Sequence, residues 1–308
     1  MNISTKFHIP ARKLDFVNIN LTNDNKLFID PLLIKRGNTE FHKNCYKTIE
    51  NFVSKLLLLA HQKQYTVLSE FINNMYERNE TKLGYSQDTT YGKSFGENGG
   101  TDLIKLLSKN GILESGFVED IFDCLIMIPN IGKDKVSDLI TTIIFLNLVK
   151  YTQEQCAKWN IPTKLVKLSK LCWNSRIEKW EEREEVLPLY NEKPIVFVPK
   201  SFTDKNYIFS YEKLYRKIII PLYKELELKN DESKFVIKYK NGRIHVLGNK
   251  LRETYPCTKY VVLDFVKKYD LVYREYKARI IGIWILNKMR KYDIFYQNKM
   301  LNIVLKEW

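Results

Sequence analysis

Between Gly132 and Pro162 the chain carries no glycine or proline. A run of that length without a breaker predicts one long helix, and Asp134 has the side chain of a good N-cap at its start. At about 100° per residue, Val136, Leu139, Ile140, Ile143 and Ile144 fall on one broad face. Asp134, Asp138, Thr141 and Thr142 share the opposite face over the first turns. Further on, Phe145 and Val149 fill that same face, so the helix becomes apolar on all sides. A helix of that kind lies inside a domain, which puts the carboxylates at its entrance next to buried territory.

Two carboxylates spaced i and i+4 can hold a divalent cation such as Mg²⁺ or take part in acid–base chemistry. The structural reading competes with this one: Asp134 caps the helix, and Asp138 favours the positive end of its dipole. The pair Asp134 and Asp138 is the best candidate catalytic and metal site in the chain.

Bulk composition limits the partners. The chain has 308 residues, of which 44% are apolar, enough for a substantial core. No apolar stretch approaches the roughly 20 residues of a membrane span. The N-terminal residues lack the apolar segment of a secretory signal, so a cytoplasmic protein without membrane contact is expected. The five cysteines are scattered, with no Cys-x-x-Cys spacing and no clustering with the four histidines. That argues against a structural zinc site and a disulfide framework, and makes Cys124 and Cys156 core residues. The net charge of +14 favours an anionic partner, with nucleic acid, DNA or RNA, ahead of an acidic protein or a membrane surface. A Lys-rich codon bias is the competing explanation.

Along the chain, Lys26–Asp30 is an extended candidate. Residues 41–78 read as helical, with Phe52, Leu56, Leu57 and Leu59 at helical spacing and a second helix over Val67–Tyr76. Five of the twelve glycines fall between Leu83 and Thr101, which predicts a loop leading into a helix from Asp102. Glycine-rich backbone ahead of a helix can cradle phosphate, and Gly92, Lys93 and Ser94 are the candidate phosphate-binding residues. A Walker A motif fails, because the glycine required five positions before Gly92 is Gln87. A plain surface loop is the alternative.

A further helix is expected from Lys164 to Glu185. A β-hairpin follows, with strands Val186–Tyr190 and Pro194–Val198 around Asn191-Glu-Lys193. Lys200 ends the second strand as the lysine does in PD-(D/E)xK nucleases, although Val198 stands where those enzymes carry an acid. Asn241-Gly242 between alternating runs predicts a hairpin with a two-residue turn over residues 234–247. The tail from Val261 reads as helical. From Lys240 onward there are fifteen Lys or Arg against six Asp or Glu, a concentration that codon bias alone does not produce. Lys238, Lys240, Arg243, Lys267, Lys268, Arg274, Lys277 and Arg279 are therefore candidate nucleic-acid contacts. Tyr269, Tyr273, Tyr276, Trp284, Tyr292 and Tyr296 are interleaved for base stacking; an amphipathic helix with those aromatics in its core is the rival reading. Asp264 with Glu275-Tyr-Lys277 matches the nuclease pattern only formally, since that stretch reads as helix.

Four stretches, Leu83-Gly-Tyr-Ser86, Gly132-Lys-Asp-Lys-Val-Ser-Asp138, Tyr151-Thr-Gln-Glu-Gln-Cys156 and Phe197-Val-Pro-Lys200, together resemble an uncharacterised group of bacterial proteins associated with phage-defence and abortive-infection loci. The resemblance covers residues 80–225. It implies an antiviral host-defence context and assigns no reaction.

The expected fold is α+β: a largely helical part over 1–180, then β-hairpins and a basic helical C-terminal part over 181–308, the two forming either separate domains or one intertwined domain. The leading expectation is a metal-dependent nuclease in which Asp134 and Asp138 hold Mg²⁺ and Lys200 neutralises the scissile phosphate. Three alternatives stand beside it: a non-catalytic nucleic-acid-binding or protein-interaction module, a nucleotide-sensing or nucleotide-modifying protein using the glycine-rich loop, and a metal-free mechanism through His245. A homo-oligomer or a partner protein is compatible with each.

Overall fold

The central run is two helices. In the computed structural model, which describes residues 1–23, 25–84, 118–128 and 132–282, helices Lys133–Ile143 and Phe145–Trp159 meet at Ile144, with φ −91° and ψ 13°. The single helix expected from the sequence is broken at a β-branched run. Thr141 donates its hydroxyl to Ser137 O at 2.6 Å, and Thr142 donates to Tyr76 O. Hydroxyls bonded to backbone carbonyls in this way bend helices. The N-cap position belongs to Gly132, and Asp134 sits inside the first turn without capping it. Burial on all sides holds: Val136, Ile140, Ile143, Ile144, Phe145 and Leu148 are all core residues.

The described residues form two compact units. The first comprises residues 1–122 and 130–208. Around the central helices it packs Glu40–His61, which is capped by Thr39 accepting from His42 N, and Tyr65–Asn73. Buried Cys45, Ile49, Phe52, Val53, Leu56 and Leu59 recur at helical spacing along the longer helix. The expected extended segment near Lys26 is a two-residue strand, β1 (Phe28–Ile29), paired antiparallel with β8 (Thr203–Asp204).

The helix expected over Lys164–Glu185 is absent. Those residues form β2 (Lys164–Lys167) paired with β5 (Glu184–Leu187), and β3 (Cys172–Asn174) paired with β4 (Lys179–Glu181). Pairing across the ladder satisfies this segment better than a helix would. Trp173 faces Trp180 and both join Phe52 and Phe71 in an aromatic cluster, with ring centroids 4.7–6.2 Å apart. Lys167 meets Glu182, and Arg183 meets Glu181 and Glu185. Charges within residues 181–185 thus form ion pairs along the hairpin. Residue 180 lies within β4 of this hairpin.

The next hairpin is shorter than expected. Strands β6 (Leu189–Tyr190) and β7 (Lys193–Pro194) flank Asn191 and Glu192, whose φ values of 49° and 59° match a type I′ turn. Ile195–Val198 leave the hairpin and bond elsewhere: Val196 N to Glu80 O, Phe197 N to Thr152 Oγ1, and Val198 O from Val17 N.

The second unit comprises residues 123–129 with 209–308. Helices Tyr211–Leu214 and Ile220–Lys229 are joined by a π-helical turn, Tyr215–Ile219, just before Pro221. Proline lacks an N–H and crowds the preceding turn, and the wider turn accommodates both effects. Strands β9 (Val236–Lys238) and β10 (Ile244–Val246) form the basic hairpin. Its turn has three residues, not two. Tyr239 N bonds Arg243 O, Gly242 N bonds Tyr239 O, and Gly242 takes φ 80° in the bulge position that glycine favours.

Helices Gly248–Thr254, Lys259–Lys268 and Asp270–Gly282 follow among the described residues of the unit. Tyr269, Tyr273 and Tyr276 are buried with Val262, Phe265 and Val266. For these three tyrosines the core reading holds and the base-stacking reading fails. Trp284, Tyr292 and Tyr296 lie outside the described residues. The expected α+β class holds, built from helices and small antiparallel two-stranded sheets. No helix among the described residues is long and apolar enough to cross a membrane.

Candidate functional site

The entrance of the Lys133–Ile143 helix is held in place by its own polar face. Ser137 Oγ accepts Ile29 N at 3.0 Å, tying the helix to β1. Tyr207 Oη lies 2.8 Å from Ile29 O and 2.9 Å from Lys133 O, bridging strand and helix start. Lys133 Nζ donates to Lys205 O at 3.0 Å and lies over the Phe28 ring. The bond from Thr142 to Tyr76 O holds the neighbouring Glu77 beside the same helix.

Asp134 and Asp138 come together there with Glu77. Burial, then Asp134, then Glu77 push the Asp138 carboxyl up to about 8 from the ordinary carboxylate range. At neutral pH Asp138 is therefore a proton-carrying acid. Asp30 is also raised, chiefly by burial, although its oxygens accept Leu32 N at 2.8 Å and Ile208 N at 3.1 Å. It caps the Pro31–Arg36 helix and is a structural residue. The backbone of Gly84, with φ 120°, passes so close that a Cβ there would lie 3.4 Å from Asp134 Oδ1. Gly84, the first glycine of that stretch, thus lies beside Asp134; Gly92, Lys93 and Ser94 lie outside the described residues.

Among the described residues, no group of three or more His, Cys, Asp or Glu side chains is arranged to hold a metal ion. A cation at this site would have the two aspartates as its protein ligands. That set is too small for calcium or zinc. It is compatible with Mg²⁺, which commonly takes one or two carboxylates and completes its shell with water and substrate phosphate.

Lys200 is exposed, in the one-turn 3₁₀ helix Lys200–Phe202, and among the described residues no hydrogen bond or ion pair joins its side chain to Asp134 or Asp138. The structure therefore supplies no contact linking it to the aspartate pair.

The basic candidates divide by environment. Lys240, Arg243 and Lys267 are exposed. Lys238 is exposed and paired with Asp231 at 2.8 Å, and Lys268 lies over the Tyr269 ring. Arg274 is paired with Asp270 at 2.6 Å, and Arg279 is half-buried. Lys277 is withdrawn from the set: its Nζ is 2.6 Å from Asp123 Oδ2, with side chains 12% and 1% exposed. Tyr273 donates to the other oxygen of Asp123 at 2.5 Å. A buried ammonium neutralising a buried carboxylate is committed to the fold. The formal Asp264…Glu275-x-Lys277 pattern is likewise dismissed, because Glu275 and Lys277 lie on a helix.

Sequence reasoning missed Glu77 and Tyr207. Neither stands in a motif, and both reach the site through contacts with distant chain. The family described as "Domain of unknown function (DUF8370)" matches residues 8–210. The match spans the carboxylate group and ends before the basic hairpin and tail. No curated protein matches the chain, and no solved structure does.

Proposed function

The chain belongs to the DUF8370 family, and from that premise we propose that it acts on nucleic acid, with phosphodiester hydrolysis at Asp134 and Asp138 as the reading best supported. The observation that carries it is the Asp138 carboxyl, held up to about 8 next to Asp134 and Glu77. A carboxyl whose proton is held by burial and like charge is a mark of functional sites. Asp134 and Asp138, both as carboxylates, would hold Mg²⁺ and orient the attacking water. Bound Mg²⁺ would neutralise charge developing on the phosphate. Its binding requires Asp138 to lose that proton, so metal affinity should rise with pH. Exposed Lys240, Arg243, Lys267 and Lys268 would grip the phosphate backbone.

The test is incubation of labelled single- and double-stranded DNA and RNA with the full chain, in Mg²⁺, Mn²⁺ or EDTA. Metal-dependent fragments that vanish with Asp138→Asn support hydrolysis. Cleavage unchanged in that variant removes the assignment. Shifted but intact substrate with a steep salt dependence would favour the second reading, a non-catalytic nucleic-acid-binding module carried by the basic hairpin and helices. For the nucleotide-sensing alternative, the readout is thermal stabilisation by a nucleotide that is lost in Lys93→Ala. The proposed host-defence role predicts reduced phage plating on cells expressing the chain, restored by Asp138→Asn.

A further inference from the structure

Apart from the carboxylate chemistry, His42 and Ser201 form a pair that neither motif nor spacing announces. His42 Nε2 lies 3.0 Å from Ser201 Oγ, and His42 Nδ1 lies 2.6 Å from Thr39 Oγ1. We propose that Ser201 is a nucleophile for acyl transfer, with His42 as its general base and Thr39 as the residue that positions the imidazole.

The elements around the ring account for its placement. His42 stands in the first turn of the Glu40–His61 helix, and Thr39 caps that helix by accepting His42 N at 3.3 Å. Thr39 Oγ1 engages Nδ1 on the far side of the ring, and in the tautomer that carries its proton there Nε2 is bare towards the Ser201 hydroxyl. Phe202 meets the ring edge-on, with centroids 4.9 Å apart and planes at 71°. On another side a Cβ at Gly37 would lie 1.7 Å from His42 Cδ2, so only glycine admits the ring there. Ser201 itself is exposed, in the turn that follows the buried Ile195–Val198 segment.

The protonation state suits the role. Burial lowers the His42 pKa from its ordinary value, and the positive end of a helix disfavours imidazolium further. A neutral imidazole held at both nitrogens, a hydroxyl at hydrogen-bond distance and a third group orienting the base make up the arrangement of an activated serine. Carbonyl substrates fit better than phosphodiesters. Phosphoryl transfer needs several cations around the transferred group, and the hydrogen bonds of His42 and Ser201 reach no Lys or Arg side chain among the described residues. The predicted substrate is an ester or thioester of a small acyl group, presented at the surface.

Ser201 Oγ attacks the carbonyl carbon as its proton passes to His42 Nε2, and the carbonyl π pair moves onto oxygen. Collapse of this intermediate breaks the bond to the leaving oxygen or sulfur, which takes the proton from His42. Water, deprotonated by the same nitrogen, then attacks the acyl-serine, releasing the carboxylic acid and restoring the hydroxyl.

The experiment treats the full chain with a fluorophosphonate probe and, separately, with p-nitrophenyl acetate, and maps the modified peptide by mass spectrometry. Labelling and acetylation at Ser201 of the native chain are expected, both absent after heat denaturation and in Ser201→Ala. His42→Gln, checked for folding by its thermal transition, should slow labelling about 10²-fold. Thr39→Val should slow it as well, with recovery in Thr39→Ser, a rescue that a purely steric role would not produce. No modification of Ser201 in the native wild-type chain overturns the proposal whatever the variants do. Labelling by the phosphonate without acetylation overturns the acyl assignment. Neither result bears on the aspartate pair, which is read by nucleic-acid cleavage.

Discussion

Replacing Asp138 with asparagine should stabilise the protein at alkaline pH and leave it nearly unchanged in acid. The Asp138 carboxyl titrates at about 8 in the folded chain and near 3.9 when unfolded. Between those values the folded state keeps a proton that the unfolded state has released, so stability falls as pH rises. The loss begins near pH 4, grows by about 1.4 kcal/mol per pH unit, and is complete above pH 8. Asp138 is partly exposed, and water relaxing around the ionised form reduces the ideal total to roughly 2 kcal/mol. Asparagine resembles the protonated acid and never ionises, so Asp138→Asn escapes the penalty. For a unit of this size, 2 kcal/mol corresponds to a melting-point gain of roughly 4–8 °C at pH 8.5, with little difference at pH 5. The assay is thermal unfolding of both proteins by circular dichroism at pH 5, 7 and 8.5 and constant ionic strength. A gap that stays constant across that range, or a variant less stable than wild type at pH 8.5, would refute the raised pKa of Asp138.

Three further outcomes test other parts of the structure. Asp123→Ala removes the partner of buried Lys277 and should cost about 3–5 kcal/mol in urea unfolding, the expected penalty for an uncompensated buried charge. Thr152→Val leaves Phe197 N without its buried acceptor, 2.8 Å away in the wild type, and should cost about 1–3 kcal/mol by the same measurement. If the exposed cations contact phosphate, Lys240→Ala combined with Arg243→Ala should reduce the slope of log affinity against log salt by about 2, read by fluorescence anisotropy on a labelled oligonucleotide.

The sequence by itself determined the features whose cause is local. Helical spacing placed Glu40–His61 correctly, and Asn191 and Gly242 marked both hairpin turns, because period and turn chemistry act over a few residues. Burial of the Val136–Val149 face followed from its composition. Tertiary structure decided whatever depended on distant partners. Strands Cys172–Asn174 and Lys179–Glu181 pair where Trp173, Trp180, Phe52 and Phe71 bury one another, a contact no local window contains. The central helix breaks where Thr142 finds Tyr76 O, 66 residues away. Lys277 looked like a free cation until Asp123 neutralised it, 154 residues away. Asp138 was legible as a candidate from its spacing, but its raised pKa needs burial and Glu77, which only the folded chain supplies. His42 and Ser201, 159 residues apart, carry no signal in the linear order. Local propensity favours a conformation by fractions of a kcal/mol per residue, and long-range burial and pairing of polar groups outweigh it wherever the two conflict.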